Sequence, residues 1–330
     1  MVYGNLNVCI IFVHLHIKNK NIFALFRSKV RYTIFTSGTY YIWIFALEGG
    51  RKMTSEKNYV EGKVVLITGA ASGFGETLAR KIASMGAIVV GGDINEEGMQ
   101  KVASEICDAG GECYGLKTDV TVKEDVFAMA NFAIEKFGKI DVLVNNAGVM
   151  PLAFFSSHER GLEAWEKCID INIKGVLYGI CAVYDQMMSQ NVGHIINLSS
   201  IYGNYPVVGG SVYQATKVAV KYISDTLRQE TRGHIKVTTI KPSAAMGTGL
   251  ADTIVDQEAF GYALGLNAME FAQLSQDPAA MAAHMDPNLP SYLFIQAPDL
   301  VDSIIYAINQ PDGICISDIT VRPTNELMTV

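Results

Sequence analysis

Val64-Val65-Leu66-Ile67-Thr68-Gly69-Ala70-Ala71-Ser72-Gly73-Phe74-Gly75 is the stretch on which the fold turns. Its first five residues are a β-branched and leucine run, the pattern of a strand buried on both faces. Glycines follow at 69, 73 and 75, and then an Ala- and Leu-bearing helical pattern from about Glu76 to Met85. Strand, glycine turn and helix, in that order, bind pyrophosphate. The glycines permit a tight turn, backbone N–H groups approach the anion, and the positive end of the helix faces it. This assigns Gly69, Ser72, Gly73, Phe74 and Gly75 to a dinucleotide.

The next strand, Ala87 to Gly92, ends at Asp93, eighteen residues after Gly75. A carboxylate there can accept hydrogen bonds from the adenosine ribose hydroxyls and repels a 2′-phosphate. None of Ala70, Ala71 and Ser72 is basic, and Ile94 follows the acid. NAD is favoured, with NADP still open; the competing reading of Asp93 is a cap for the helix that begins near Asn95. The pattern then repeats. A helix spans about 96–108, a strand 112–118 leads to Asp119-Val120, and a helix spans about 123–137. The fourth strand, Ile140 to Val144, delivers Asn145-Asn146-Ala147-Gly148. Strands alternating with helices of 10–15 residues define an α/β fold. We expect a single doubly wound, Rossmann-type parallel sheet of about seven strands with helices on both faces and right-handed crossovers.

The second half carries polar residues suited to proton transfer. A helical pattern from Leu162 to Met188 contains Asn172, and a fifth strand, His194 to Leu198, presents Ser199 and Ser200 at its carboxyl end. Ligands bind at that edge of an open α/β sheet. Farther on, Val212-Tyr213-Gln214-Ala215-Thr216-Lys217 places a tyrosine and a lysine four residues apart, on one face of a helix. A tyrosine of pKa about 10 is a poor acid–base group at neutral pH, and a neighbouring ammonium favours its phenolate.

Together, Thr68-Gly69-Ala70-Ala71-Ser72-Gly73-Phe74-Gly75, Asn145-Asn146-Ala147-Gly148, Asn172, Ser199-Ser200 and Tyr213/Lys217 resemble the short-chain dehydrogenase/reductase family. The match is to its smaller T-G-x-x-x-G-x-G / Y-x-x-x-K type, over about residues 60–320. The resemblance implies an NAD(P)-dependent oxidoreductase that interconverts a secondary alcohol and a ketone or aldehyde. It implies that Tyr213 transfers the proton, that Lys217 lowers its pKa and holds the nicotinamide ribose, and that Asn172 bends its helix and holds a water. The family's serine stands thirteen residues before its tyrosine, which selects Ser200 to hydrogen-bond the substrate oxygen; Ser199 is its neighbour. Asp119 and Val120 are placed beside the adenine, and Asn146, Ala147 and Gly148 along the cofactor. Pro242 and Thr248 correspond to the loop over the nicotinamide, but Ser243 replaces the usual glycine and Thr248 comes about one position late. Thr216 stands where relatives more often have serine. The same motifs also fit a catalytically silent NAD-binding regulator, against which the intact set of Asn172, Ser200, Tyr213 and Lys217 argues.

Composition excludes other classes. The chain of 330 residues is 49 % hydrophobic, with a net charge of −7 that offers nothing to neutralise nucleic-acid phosphates. Six scattered cysteines have no metal spacing, the histidines do not cluster, and no metal site is expected. Residues 1–52 differ from the rest: they hold 7 of the 26 basic residues but 1 of the 33 acidic ones, so the remainder has a net charge of −13. Their first basic residue, Lys18, follows the apolar run instead of preceding it, unlike a secretory signal. The charge-free stretch from Tyr32 to Leu47 is 16 residues, short of the about 20 that span a bilayer. We read 1–52 as a leader outside the fold, either translation upstream of a start at Met53 or a membrane-associating or targeting segment, and 53–330 as one dehydrogenase domain. No stable membrane insertion is expected. The expected location is cytoplasmic, with organelle targeting open, and the expected assembly a homodimer or homotetramer. Residues 249–297 form a substrate lid region. Its Met269, Met281 and Met285, with Phe260, Tyr262, Phe271, Tyr292 and Phe294, suit an apolar substrate or else core and subunit packing.

Overall fold

The computed structural model describes residues 58–328, together with the backbone of residues 31–37 and 40–46. The chain divides into two compact units, Met1–Lys57 and Asn58–Val330. In the first, β1 (Arg31–Ser37) and β2 (Tyr40–Ala46) pair antiparallel, with Ser37 opposite Tyr40. The charge-free stretch that starts at Tyr32 therefore forms strands. The expectations for residues 1–30 and 47–57 lie outside the described residues.

In the second unit, β3 (Val64–Thr68), α1 (Gly73–Ser84), β4 (Ile88–Asp93), α2 (Glu96–Asp108), β5 (Glu112–Lys117), α3 (Lys123–Phe137) and β6 (Val142–Asn145) alternate as expected. The second half follows with α4 (His158–Ile169), a π-helical turn (Asp170–Gly175), α5 (Val176–Gln190), β7 (Gly193–Leu198), α6 (Ser211–Glu230) and β8 (Ile235–Pro242). Three short helices, α7 (Gln257–Leu264), α8 (Ala268–Gln276) and α9 (Pro278–Ala283), precede α10 (Ala297–Ile308) and β9 (Asp318–Val321).

The strands form one parallel seven-stranded sheet, ordered β5-β4-β3-β6-β7-β8-β9. Side chains alternate across it. Val65, Ile67 and Val89 pack with α1, α2 and α10, whereas Val64, Leu66 and Val90 pack with α3, α5 and α6. The inner strands β3 and β6 are thus buried on both faces, which is why β3 reads as a continuous apolar run. From the adjacent β3 and β6 the chain winds in opposite directions, and this opens a crevice beyond Thr68 and Asn145.

Element ends differ from expectation where side chains take over backbone bonds. β6 starts at Val142 because both the N–H and the C=O of Ile140 are bonded by the Gln190 side chain, at 2.9 and 2.8 Å. β9 is shorter than 313–320: the carbonyls of Ile316 and Ser317 accept from Thr238 Oγ1 and Arg228 Nη2. α1 begins at Gly73, so the glycine turn supplies its first turn. The helical stretch from Leu162 to Met188 is two α-helices joined by the π-turn that contains Asn172.

A buried histidine links the sheet to pH. Thr238 Oγ1 donates to Ile316 O at 2.6 Å, so at its 2.7 Å contact with His194 the ring Nε2–H is the donor. His194 Nδ1 is then a bare buried acceptor with no partner among the described residues. Burial, aided by the charges of Lys236 and Lys63, holds this imidazole well below the usual histidine range. A depressed histidine pKa contributes stability that is present above the unfolded value near 6.5 and is lost as pH falls below it. Urea unfolding should therefore show lower stability at pH 5 than at pH 8 from this group alone. His194→Gln should remove that increment; an unchanged pH dependence in the variant would contradict the assignment. A chain begun at Met53 is expected to fold and to bind NAD, read by circular dichroism and by titration; insolubility or loss of binding would place the leader within the fold.

Candidate active site

The crevice is a cleft of about 610 Å³. Gly69, Ser72, Phe74, Asp93, Asp119, Val120, Asn146, Ala147, Gly148, Tyr213, Lys217, Pro242 and Thr248 all line it. Gly73 and Gly75 shape it from behind. Gly69 has φ +66°, and a Cβ there would stand 2.9 Å from the Ala147 Cα. A Cβ at Gly75 would stand 2.1 Å from Gly69 O, which no relaxation could absorb. The α1 N-cap, Ser72, makes no side-chain capping bond, so the first amides of the helix remain for an anion. This cradle fits the pyrophosphate of a nicotinamide dinucleotide. Thr248, although late in sequence, reaches the cleft: its carbonyl oxygen lies 3.1 Å from the place a Gly73 side chain would begin.

Asp93 does two things. One oxygen accepts the Ala71 N–H and the other the Asn95 N–H, each at 2.9 Å. The cap of α2 is Asn95, whose side chain accepts from Gly98 N at 3.0 Å. The carboxylate thus braces the glycine turn while standing at the cleft.

The four proposed catalytic residues come together from three elements. Asn172 lies in the π-turn and is 1 % exposed. Its Oδ1 accepts from Val149 N at 3.0 Å, and its Nδ2 faces Val149 O, Thr216 Oγ1 and Cys168 Sγ at 3.0, 3.1 and 3.3 Å. Lys217 Nζ donates to Leu198 O at 2.9 Å and stands 5.7 Å from the Tyr213 ring centroid. Asn172 Oδ1 and Lys217 Nζ both border the space that glycine leaves at 148, 3.3 and 3.5 Å from where a Cβ would be. The serines are told apart by their partners. Ser199 commits its hydroxyl to Lys217 O at 2.9 Å, whereas the Ser200 side chain bonds to the Tyr213 hydroxyl and accepts from Tyr202 N. Ser199 borders the cleft and both serines are buried, but of the two it is Ser200 whose hydroxyl acts on the phenol.

Burial dominates the electrostatics of the pair. Burial pushes the Tyr213 phenol up to about 12, against the Ser200 hydrogen bond, which favours the phenolate. Burial likewise pushes the Lys217 amine down to about 8. Removal from water thus disfavours the charged form of each group.

Other residues escaped the sequence reading. Glu163, Glu166, Lys167 and Asp170 line the cleft from α4 and the π-turn. Their spacing is that of one helical face, and a charged stripe leading into Asn172 was the available signal. Within residues 249–297, Phe260, Phe271 and Phe294 stack edge-on at 5.9 Å spacings, with Met281 and Met285 beside them, so these form a small core of their own. Tyr262 meets Phe154 edge-on at 5.3 Å, Tyr292 bonds Asp299 at the start of α10, and Met269 is exposed.

The chain matches the family model for short chain dehydrogenase over residues 63–259. It is 38 % identical over 271 residues to an uncharacterized oxidoreductase of Listeria innocua serovar 6a, covering 81 % of this chain and 98 % of the relative. A second uncharacterized oxidoreductase, from Staphylococcus saprophyticus, is 36 % identical over 82 % of this chain and 99 % of its own. Among solved structures, a short-chain dehydrogenase/reductase from Burkholderia phymatum in complex with NAD superposes with a TM-score of 0.63 at 29 % identity, over 79 % of this chain and 89 % of that one. A metagenomic short-chain oxidoreductase in complex with NADP gives 0.62 at 28 % identity, over 81 % and 99 %. The chain belongs to the short-chain dehydrogenase family and is a nicotinamide-dependent oxidoreductase.

Proposed function

We propose that the chain is an NAD-dependent dehydrogenase or ketone reductase acting on a secondary alcohol or its carbonyl partner, with Tyr213 as the general acid and base. The observation that carries this is the convergence of Ser200, Tyr213, Lys217 and Asn172 in one buried cluster at the edge of a dinucleotide-shaped cleft. When bound, NAD gives or takes the hydride at the substrate carbon. Ser200 donates to the substrate oxygen and stabilises the charge that develops there. Tyr213 passes the proton to or from that oxygen. Lys217 stands where it can hold a ribose hydroxyl, and a water beside Gly148 would connect its amine through Asn172 to solvent. Phe74, Asp119, Val120, Asn146 and Ala147 would hold the rest of the dinucleotide along the cleft, with Pro242 and Thr248 over its nicotinamide end.

For NAD over NADP, the support is chemical. Asp93 is a carboxylate at the cleft, and the cleft-lining cations among the described residues are Lys167 and Lys217, the second of which belongs to the catalytic cluster. An assembly of two or four copies and a cytoplasmic location remain part of this reading.

Tyr213→Phe keeps the ring, so NAD should still bind while turnover falls by roughly 10²–10⁴. Ser200→Ala should lower turnover with NAD affinity unchanged, and Lys217→Met should reduce both. Titration of NAD alongside steady-state rates over a panel of alcohols and ketones reads all three. A Tyr213→Phe enzyme that keeps more than about a tenth of the rate would refute this chemistry. Asp93→Asn should move the ratio of NADP to NAD dissociation constants towards NADP by roughly tenfold or more, the factor that 1.4 kcal/mol of relieved repulsion is worth. An unchanged ratio would remove Asp93 from cofactor choice.

A further inference from the structure

The matched family region ends at residue 259, yet the described chain runs on to Met328 and returns to the catalytic cluster. Tyr202, two residues after Ser200, is the point of contact. Its N–H donates to Ser200 Oγ at 3.2 Å, its ring meets Tyr213 edge-on at a centroid distance of 6.4 Å, and its hydroxyl donates to Met328 Sδ at 3.1 Å. Burial and the nearby Tyr213 and Glu326 hold the Tyr202 phenol above its ordinary range, so it stays a donor.

The tail is anchored just before that contact. Asn325 N donates to Tyr292 O at 3.0 Å, Leu327 O accepts from Asn267 Nδ2 at 2.9 Å, and Arg322 pairs with Glu326 at 2.9 Å. Leu327 is 3 % exposed within the lid core. Met328 belongs to two apolar groups at once: the cluster of Tyr213, Tyr202, Leu152 and Ala259, and the lid core of Leu264, Leu293 and Phe294. The unbranched, polarizable thioether thus fills the seam between catalytic residues and lid.

We infer that the C-terminal segment 322–328 is a wall of the substrate pocket, and that Met328, held by the Tyr202 hydroxyl, sets how large an apolar substituent the carbonyl substrate can carry beside Tyr213. This rests on the proposed reaction. It gives Tyr202 a positioning role, since the same residue orients Ser200 and fixes Met328. Apolar pockets discriminate substituents that differ by a methylene about 10–200-fold, so a side chain of methionine's length has leverage on selectivity.

The test is a series of methyl ketones of increasing alkyl length and branching, assayed with the unmodified chain, Met328→Ala and Tyr202→Phe. For each, kcat/KM is measured, and binding of the ketones to the NAD complex is measured by calorimetry. Met328→Ala should raise the ratio of bulky to small substrates by about tenfold, with NAD affinity unchanged. Tyr202→Phe, which keeps the ring and frees Met328, should move the ratio in the same direction by a smaller factor. Met328→Leu, which retains the volume, should leave it near that of the unmodified chain. A ratio unchanged in Met328→Ala, in a chain that binds or reduces the ketones, overturns the wall alone. If the unmodified chain neither binds nor reduces any of them, the proposed reaction falls and the wall with it.

Discussion

Asn146 holds the crevice together. Its amide donates to Thr68 O and to Gly69 O, each at 2.9 Å, while its own N–H and that of Ala147 reach Thr68 Oγ1 at 3.1 and 3.2 Å. Four bonds thus tie the end of β6 to the end of β3 where the chain begins its glycine turn. Buried carbonyls left without such partners would each cost about 1–3 kcal/mol. The lock also dictates composition: a Cβ at Gly75 would stand 2.7 Å from Asn146 Nδ2 as well as 2.1 Å from Gly69 O. The turn is therefore glycine for reasons of packing before any cofactor is considered.

A second polar seam runs behind the site. Asn145 Nδ2 donates to Asn197 Oδ1 at 2.8 Å, Asn197 Nδ2 to Ser224 Oγ at 2.9 Å, and Ser224 Oγ to Val220 O at 2.7 Å. This joins β6 and β7 to α6, the helix that carries Tyr213 and Lys217. Buried hydrogen bonds of this kind fix register more than they add stability. Asn172 is held in the same manner by Val149 and Thr216, and Thr216 Oγ1 in turn donates to the carbonyl of Tyr213 at 2.6 Å. Thr216 therefore couples the π-turn to Tyr213, a role that serine's hydroxyl could also fill.

Burial has a consequence for the chemistry. A phenol pushed up to about 12 and an amine pushed down to about 8 are both biased towards their neutral forms. Both charged states are disfavoured by the same cause, removal from water, so the cluster is compact and apolar until something charged enters it. A bound oxidised nicotinamide carries positive charge, which favours the phenolate. The wall proposed for the C-terminal segment would keep that environment dry on the substrate side.

The amino-acid sequence alone determined the order of strands and helices, the glycine turn, and the positions of Asp93, Ser200, Tyr213 and Lys217. Most of these depend on local rules: continuous apolar runs for buried strands, helical spacing, and glycine where no Cβ fits; Ser200 was selected by the thirteen-residue spacing of the family that the chain resembles. β3, α2 and α3 were legible to the residue for that reason. Tertiary structure alone decided that Gln190 sets where β6 begins, that a charged face of α4 borders the cleft, that Tyr213 and Lys217 are both buried, and that Met328 meets Tyr202. That last pair is 126 residues apart in the chain. No periodicity or spacing encodes such a meeting, because it depends on how the completed sheet and lid bring distant segments to one place.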